Sequence, residues 1–364
     1  MTCTIEDFVI KDDKGSEKEM ENQVGKGYNL RHMRVELTHD CPLNCLHCSA
    51  CSNSGNPLQL PPERVISLIN EFIRMGGKEV VITGGEPLVY DGLLAVLESS
   101  NSAGLKPILF TSGVTRDGEK YRCINDKELA RMKSLLSHVV FSLYSANEEK
   151  HNQITQTKGS FTTTLDSIRK SIILGIPTDI HFVPMKVNYA DLPRVAELSR
   201  ALGIQRVRVL RFVPHGRGEK YASDLLPSVN DYRIFSNIVE TTRRRYAGLI
   251  NIGSAFSSLI PNVSNVCLAA TGKIVVTADG FVAPCDGFKN FENPSNAWNV
   301  YNKSLYEIYA DSPFLCQVRA AKKGNTEGKM NNKIPVNRLG CIAQKSRACG
   351  SVTSSGPDPC VSLD

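Results

Sequence analysis

Residues 38–55, THDCPLNCLHCSACSNSG, place four of the chain's twelve cysteines within eleven positions. Cys41, Cys45 and Cys48 are spaced C-x3-C-x2-C, and Cys51 adds one further C-x2-C step. Thiolates are soft ligands, so a loop that gathers several of them can hold metal. Two arrangements are open. Cys41 or Cys45 with Cys48, Cys51 and His39 or His47 could form a zinc tetrahedron. Alternatively Cys41, Cys45 and Cys48 could bind neighbouring irons of a [4Fe–4S] cube, which normally takes four thiolates. With three, one iron keeps an open position, and an open position means chemistry. A disulfide staple is the weaker use of these thiols. The N-terminal stretch MTCTIEDFVIKDDKGSEKEMENQVG is acidic and polar and lacks the apolar centre of a secretory signal, which predicts a cytoplasmic protein under reducing conditions.

The elements that must position this loop can be read outward from it. RVELT (34–38), just before it, reads as a buried strand, and PPERVISLINEFIRMG (61–76) as a helix with Val65, Leu68, Ile69 and Phe72 on one stripe. The unit recurs. Strands are expected at 79–83, 106–113, 138–145, 178–185 and 206–214, each followed by an amphipathic helical segment, the last over 229–248. Six apolar strands alternating with helices predict a parallel α/β sheet with right-handed crossovers. Six are too few for a closed eight-stranded barrel, so a partial (β/α)6 TIM-like barrel over 32–248 is expected, with a doubly wound sheet as the alternative. In either, chemistry belongs at the carboxyl ends of the strands, where the cysteine loop begins.

Composition excludes little. The hydrophobic fraction of 41% and charged fraction of 22% are ordinary for a globular chain. No stretch approaches the roughly 18–20 apolar residues of a membrane span, and a net charge of +6 with short basic runs at 243–245 and 322–323 does not demand nucleic acid. A second motif bears on the cysteines: the strand EVVIT ends in Gly84-Gly85-Glu86-Pro87. Paired glycines permit close approach to the backbone, and a carboxylate beside them can receive an ammonium group.

With both motifs in place the chain resembles the radical S-adenosylmethionine (SAM) enzymes, whose signatures are a C-x3-C-x2-C loop after the first strand and a GGEP-type turn after the second. The resemblance covers about 32–218. It implies a [4Fe–4S] cluster on Cys41, Cys45 and Cys48 whose open iron chelates SAM, reductive cleavage to a 5′-deoxyadenosyl radical, and hydrogen abstraction from a substrate. It further implies that His47 lies near the adenine, and that Gly84, Gly85, Glu86 and Pro87 meet the methionyl amino group. Ser112, Ser142, Asn188 and Arg211, at or beyond strand ends, match positions that contact ribose and carboxylate.

After residue 248 the pattern changes. GKIVVTADGFVAPC (272–285) reads as a hairpin around Asp279-Gly280, followed by a loop-rich segment. This tail resembles the SPASM/twitch extension of radical SAM enzymes, which implies auxiliary [4Fe–4S] clusters. Six tail cysteines cannot supply eight ligands, so one auxiliary cluster is expected, from Cys267, Cys285, Cys341 and Cys360, with Cys316 and Cys349 as rivals. The alternative is a zinc-stapled tail. The resulting expectation is a polar arm (1–31), a radical SAM partial barrel (32–248) and an auxiliary-cluster domain (249–364). The implied activity is modification of a ribosomal peptide, or of a sugar or aminocyclitol by dehydrogenation or epimerisation, with an electron donor such as flavodoxin or ferredoxin. A non-catalytic iron–sulfur or zinc protein is the reading of another class.

Overall fold

A computed structural model describes residues 29–118, 120–256, 259–260, 263, 266–289, 291, 297–327, 341–349 and 351–352. Most of the expected polar arm, and Cys360, lie outside these. The six expected strands are present: β1 (His32–Glu36), β2 (Glu79–Thr83), β3 (Ile108–Thr111), β6 (His138–Ser142), β7 (Thr178–Phe182) and β8 (Arg206–Val209). They lie side by side in chain order and pair in parallel, with Arg34 opposite Val81 and Phe110 opposite Val140.

β2 and β3 end where Gly84-Gly85 and Ser112-Gly113 replace the apolar run. The helices follow as the periodicity predicts. In α1 (Pro62–Arg74) Val65, Leu68, Ile69 and Phe72 are buried, and Pro62 occupies the first turn, where its missing N–H has no helical acceptor. Burying those four side chains is worth roughly 1.5–3 kcal/mol each. Gly77 lacks a Cβ because one would sit 2.3 Å from the Phe72 ring. The other helices of the repeat are α2 (Leu93–Ser102), α3 (Asp126–Lys133), α5 (Ser160–Ile173), α6 (Leu192–Ala201) and α9 (Val229–Arg245). Reciprocal capping boxes, Asn125 with Glu128 and Ser228 with Asp231, start α3 and α9.

Four features depart from a plain six-unit repeat. A separate hairpin, β4 (Val114–Asp117) with β5 (Lys120–Cys123), follows β3, and α4 (Glu148–Thr155) is inserted before α5. Strand β9 (Ile250–Ile252) adds to β8 in parallel. Most consequentially, the tail hairpin β10 (Lys273–Val276) and β11 (Val282–Ala283) joins the main sheet: β10 pairs in parallel with β1, Arg34 opposite Val275. The result is one open nine-stranded sheet, β11-β10-β1-β2-β3-β6-β7-β8-β9, whose edge strands β11 and β9 do not pair with each other among the described residues.

Alternation along β1 gives the sheet its two faces. Met33 and Val35 enter the large helix-covered core, while Arg34 and Glu36 point to the opposite, concave face. Val81, Ile108, Phe110 and Val140 form a separate apolar cluster there, and the Arg34 guanidinium lies 4.7 Å from the Phe110 ring centre. No described helix is long and apolar enough to cross a membrane.

Candidate active site

The cysteine loop leaves β1 at its carboxyl end and is held from three sides. From β2, the Thr83 carbonyl accepts from the Leu37 N–H at 2.9 Å. From α4, the Thr155 and Ile154 carbonyls accept from the N–H groups of Asn44 and Leu46 at 3.1 and 2.9 Å, which is what the inserted helix contributes. From beyond β8, Arg217 donates its backbone N–H to Cys48 O at 2.9 Å, and its guanidinium to Cys45 O at 2.8 Å and Ser52 O at 2.6 Å. Gly216 lies at φ +60°, and a Cβ there would meet Ser49 O at 2.3 Å.

The Gly84-Gly85 turn fits against the same loop. A Cβ on Gly84, at φ +156°, would fall 2.7 Å from Thr38 O, and one on Gly85 would fall 2.3 Å from Asp40 O. Gly85 and Glu86 donate their N–H groups to those two carbonyls at 2.5 and 2.9 Å. The glycines thus admit the cysteine loop itself, and only what remains of their exposed backbone is open to a ligand.

The three thiols share one pocket. Burial pushes the Cys41 thiol far above its ordinary range, and the neighbouring Cys45, Glu86 and Cys48 add to it. Cys45 is pushed up to about 12, by burial first and then by Cys48, against the pull of Arg217. Thiols that are buried, mutually close and flanked by a guanidinium suit a metal that takes them as thiolates. Among the described residues no three His, Cys, Asp or Glu side chains converge closely enough for a single ion. A zinc tetrahedron gathers its ligands around one ion, whereas the thiolates of a cube bind different irons and stand farther apart.

Beside the thiols lies a cavity of ≈ 240 Å³ at the carboxyl ends of the strands. Residues 35–199 match the radical SAM superfamily. This segment is a radical SAM domain. Similarity extends over the rest of the chain. A PqqA peptide cyclase of Methylocella silvestris is 25% identical over 332 residues, 89% of this chain and 85% of that protein. The structure of Streptococcus suis SuiB bound to S-adenosylmethionine superposes with a TM-score of 0.72 at 15% identity, covering 98% of this chain and 84% of that one. The structure of anSMEcpe with bound AdoMet and Cp18Cys peptide gives 0.61 at 16% identity, over 86% and 89%. These two likenesses are of fold. A radical SAM domain uses S-adenosylmethionine and a [4Fe–4S] cluster, and the donor set just described fits that cluster.

Around the radical SAM cavity the expected residues divide. His47, Gly84, Gly85, Ser112, Ser142 and Arg211 line it with the three cysteines. The His47 ring meets Tyr144 edge-on at 4.4 Å, and burial, then Arg217, lowers its pKa to about 4, so it is neutral. Glu86, Pro87 and Asn188 do not line the cavity. The Glu86 carboxylate, wholly buried, accepts from Thr111 Oγ1 at 2.5 Å, Ser112 N at 2.8 Å, Ser112 Oγ at 2.5 Å and Leu88 N at 3.2 Å. Burial raises its pKa against the pull of those bonds. Asn188 spends its amide on backbone: its nitrogen donates to Tyr144 O and Val183 O at 2.8 and 3.1 Å, and its oxygen accepts from Met185 N at 2.6 Å. Both side chains tie loops together through these bonds.

Sequence reasoning missed the opposite wall. Arg34, Glu36, His181, Asp286 and Lys289 also line the cavity, the last two contributed by the tail. Arg34 contacts Asp286 at 2.9 Å, Lys273 contacts it at 2.6 Å, and Lys289 is paired with Glu36. The available signal was two charges, Arg34 and Glu36, inside a strand otherwise fit for burial. In the tail, the Cys285 thiol is raised to about 12 by burial first, then by Cys341, with a smaller contribution from Cys267. Lys322 Nζ donates to Cys267 O at 2.8 Å and Ala269 O at 2.9 Å. The Cys316 thiol instead faces Ala310 O at 3.5 Å.

Proposed function

We propose that this radical SAM enzyme modifies a ribosomal peptide by hydrogen abstraction, with Cys41, Cys45 and Cys48 as the ligands of its catalytic cluster. The observation that carries the reading is the composition of the cavity: its walls are the cysteine loop and Gly84-Gly85 turn on one side and tail residues Asp286 and Lys289 on the other. When bound, the cluster and S-adenosylmethionine supply a radical able to take a hydrogen atom. The chain's residues confine and orient. Arg217 fixes the loop through its carbonyls; the exposed Gly84-Gly85 backbone and Arg211 receive the polar ends of the cofactor; the neutral His47 ring, set edge-on against Tyr144, stands beside the base. Cys267, Cys285 and Cys341 hold an auxiliary [4Fe–4S] cluster with Cys360 as fourth ligand, and a small donor such as flavodoxin or ferredoxin supplies electrons. The barrel function (32–248) and the tail function (249–364) then meet across one sheet, at β1 and β10.

The peptide substrate is supported by the relative named for cyclising a peptide and by the neighbour whose structure contains one. The test is isotopic. Reconstituted protein, dithionite and S-adenosylmethionine should form deoxyadenosine, and a deuterated candidate precursor peptide should pass deuterium into it. Deoxyadenosine that stays unlabelled with peptide but acquires deuterium from a sugar or aminocyclitol would replace the peptide reading by the small-molecule one.

A further inference from the structure

A second cavity, of ≈ 500 Å³, adjoins the first and shares Glu36, Ser49, Ala50 and Lys289 with it. None of the residues placed around S-adenosylmethionine, His47, Gly84, Gly85, Ser112, Ser142 or Arg211, lines it. One wall is the cysteine loop; the other is the tail, through Phe281, Phe291, Asn299 and Tyr301. An occupant reaching the radical site by this route passes the Lys289 ammonium.

Lys289 is 7% exposed and its partner Glu36 3%. The ammonium has three protons to donate. One goes to Glu36 and one to Ser49 Oγ at 3.2 Å, while Asp286 stands 4.0 Å away, beyond hydrogen-bond reach. Lys273 contacts Asp286 at 2.6 Å and also acts on Cys285, and Arg34 contacts Asp286 at 2.9 Å, which leaves Glu36 as the one carboxylate among the described residues within hydrogen-bond reach of Lys289. His39 lies 3.9 Å from Glu36. Asp279, also in the second cavity, is engaged within its own turn by Thr277 and by Phe281 N at 3.3 Å. A largely buried ammonium with one proton unspent suits an anionic acceptor. Because Lys289 stands on the border of a cavity that no cofactor residue lines, we infer that the second cavity is the substrate's approach and that Lys289 anchors a carboxylate of the peptide. This rests on the peptide-modifying reading above and names the chemical class of the group recognised.

The chain's single tryptophan, Trp298, directly precedes Asn299 of this cavity and reports its occupancy by fluorescence. The probes are three tripeptides: Ac-Gly-Glu-Gly-NH2, its glutamine isostere, and Ac-Gly-Gly-Gly with a free terminal carboxylate. Wild-type holoenzyme should bind one or both carboxylate probes roughly tenfold more tightly than the glutamine peptide, the effect of one charge-assisted hydrogen bond. Which of the two binds tells a side-chain carboxylate from a terminal one. Lys289→Met should erase the preference and Lys289→Arg should keep it. Binding of neither carboxylate probe more tightly than the glutamine peptide by wild type overturns the inference, and this needs no variant to fold. So does a Lys289→Met protein that retains the preference, or one that loses affinity for S-adenosylmethionine alone, which would make Lys289 a cofactor residue. Deoxyadenosine formation by wild type tests the radical SAM reading separately.

Discussion

Glu86 offers the sharpest separation of a structural from a ligand-binding role. Its carboxylate accepts four hydrogen bonds, two from hydroxyls and two from the N–H groups of Ser112 and Leu88. In Glu86→Ala the hydroxyls can turn elsewhere, but the two backbone donors cannot. A stranded donor costs about 1–3 kcal/mol. Ser112 and Leu88 are only partly buried, so water recovers some of this, and about 2–4 kcal/mol for the pair is the working figure. Against a typical stability of about 5–15 kcal/mol that is a large fraction. Glu86→Gln keeps the shape and one acceptor oxygen but turns its amide nitrogen on donors, so it should lose about 1–3 kcal/mol. The order wild type, Gln, Ala should appear in the urea midpoint of the metal-free protein. S-Adenosylmethionine affinity, measured on whatever fraction loads iron, should change less than about threefold in the glutamine variant. A Glu86→Gln protein with an unshifted midpoint and a tenfold loss of S-adenosylmethionine affinity would refute this reasoning and show that the carboxylate reads the methionyl ammonium.

Replacing Cys41, Cys45 and Cys48 together with alanine should remove about four of roughly eight irons per chain and all S-adenosylmethionine cleavage, given one cube on three thiolates; unchanged iron with bound zinc would contradict it. The remaining iron should be lost on removing Cys285, while the catalytic cluster, read by its paramagnetic response to S-adenosylmethionine, should persist. Gly216→Ala places a methyl 2.3 Å from Ser49 O at a left-handed φ, so it should displace Arg217 from the cysteine loop and lower catalytic-cluster occupancy; full iron content would count against that packing. Burial raises the Glu36 pKa, but Lys289 and His39 outweigh it and hold the carboxyl below its ordinary 4.5. A depressed carboxylate stabilises the fold above 4.5 and loses that contribution as pH falls through its folded value. The stability gap between wild type and Lys289→Met should therefore be full at neutral pH and close in acid, and a pH-independent gap would show that the pair adds nothing electrostatic.

What the sequence made legible was local. The C-x3-C-x2-C loop, the glycine pair and the six strands are each set by residues within a few positions of one another, and the structure brings them together at one end of the sheet. The hydrogen-bond partners of Glu86 and Asn188 were not legible because they are distant in sequence: Thr111 and Ser112 lie on and just beyond the neighbouring strand β3, and Tyr144 lies beyond β6. A polar residue at a strand end looks the same whether it faces a ligand or ties down a loop. The opposite failure occurred at Arg34 and Glu36. Their alternation with Met33 and Val35 marks a strand buried on both faces, and two buried charges require partners that no nearby stretch supplies.

Those partners come from Asp286 and Lys289, and that has a consequence for how the tail works. Lys273 sits opposite His32 in the β10–β1 pairing, and β11 returns to place Cys285 two residues past Ala283. Neighbouring strands lie about 4.8 Å apart, so β1 and β11 are about 10 Å apart across the sheet. The cysteine loop leaves the carboxyl end of β1, whereas β11, antiparallel to β10, runs back toward the amino end of β1 before Cys285. A tail hinged to the barrel by a linker would leave that spacing variable; a tail strand hydrogen-bonded into the barrel's own sheet fixes it. The salt bridges from Arg34 and Glu36 then pin Asp286 and Lys289 against the cavity. If Cys285 binds the auxiliary cluster proposed above, any change that unseats that metal must act on the cavity wall one and four residues away. Loss of substrate modification in a Cys285 variant is therefore expected to come with altered substrate binding, and not from interrupted electron transfer alone.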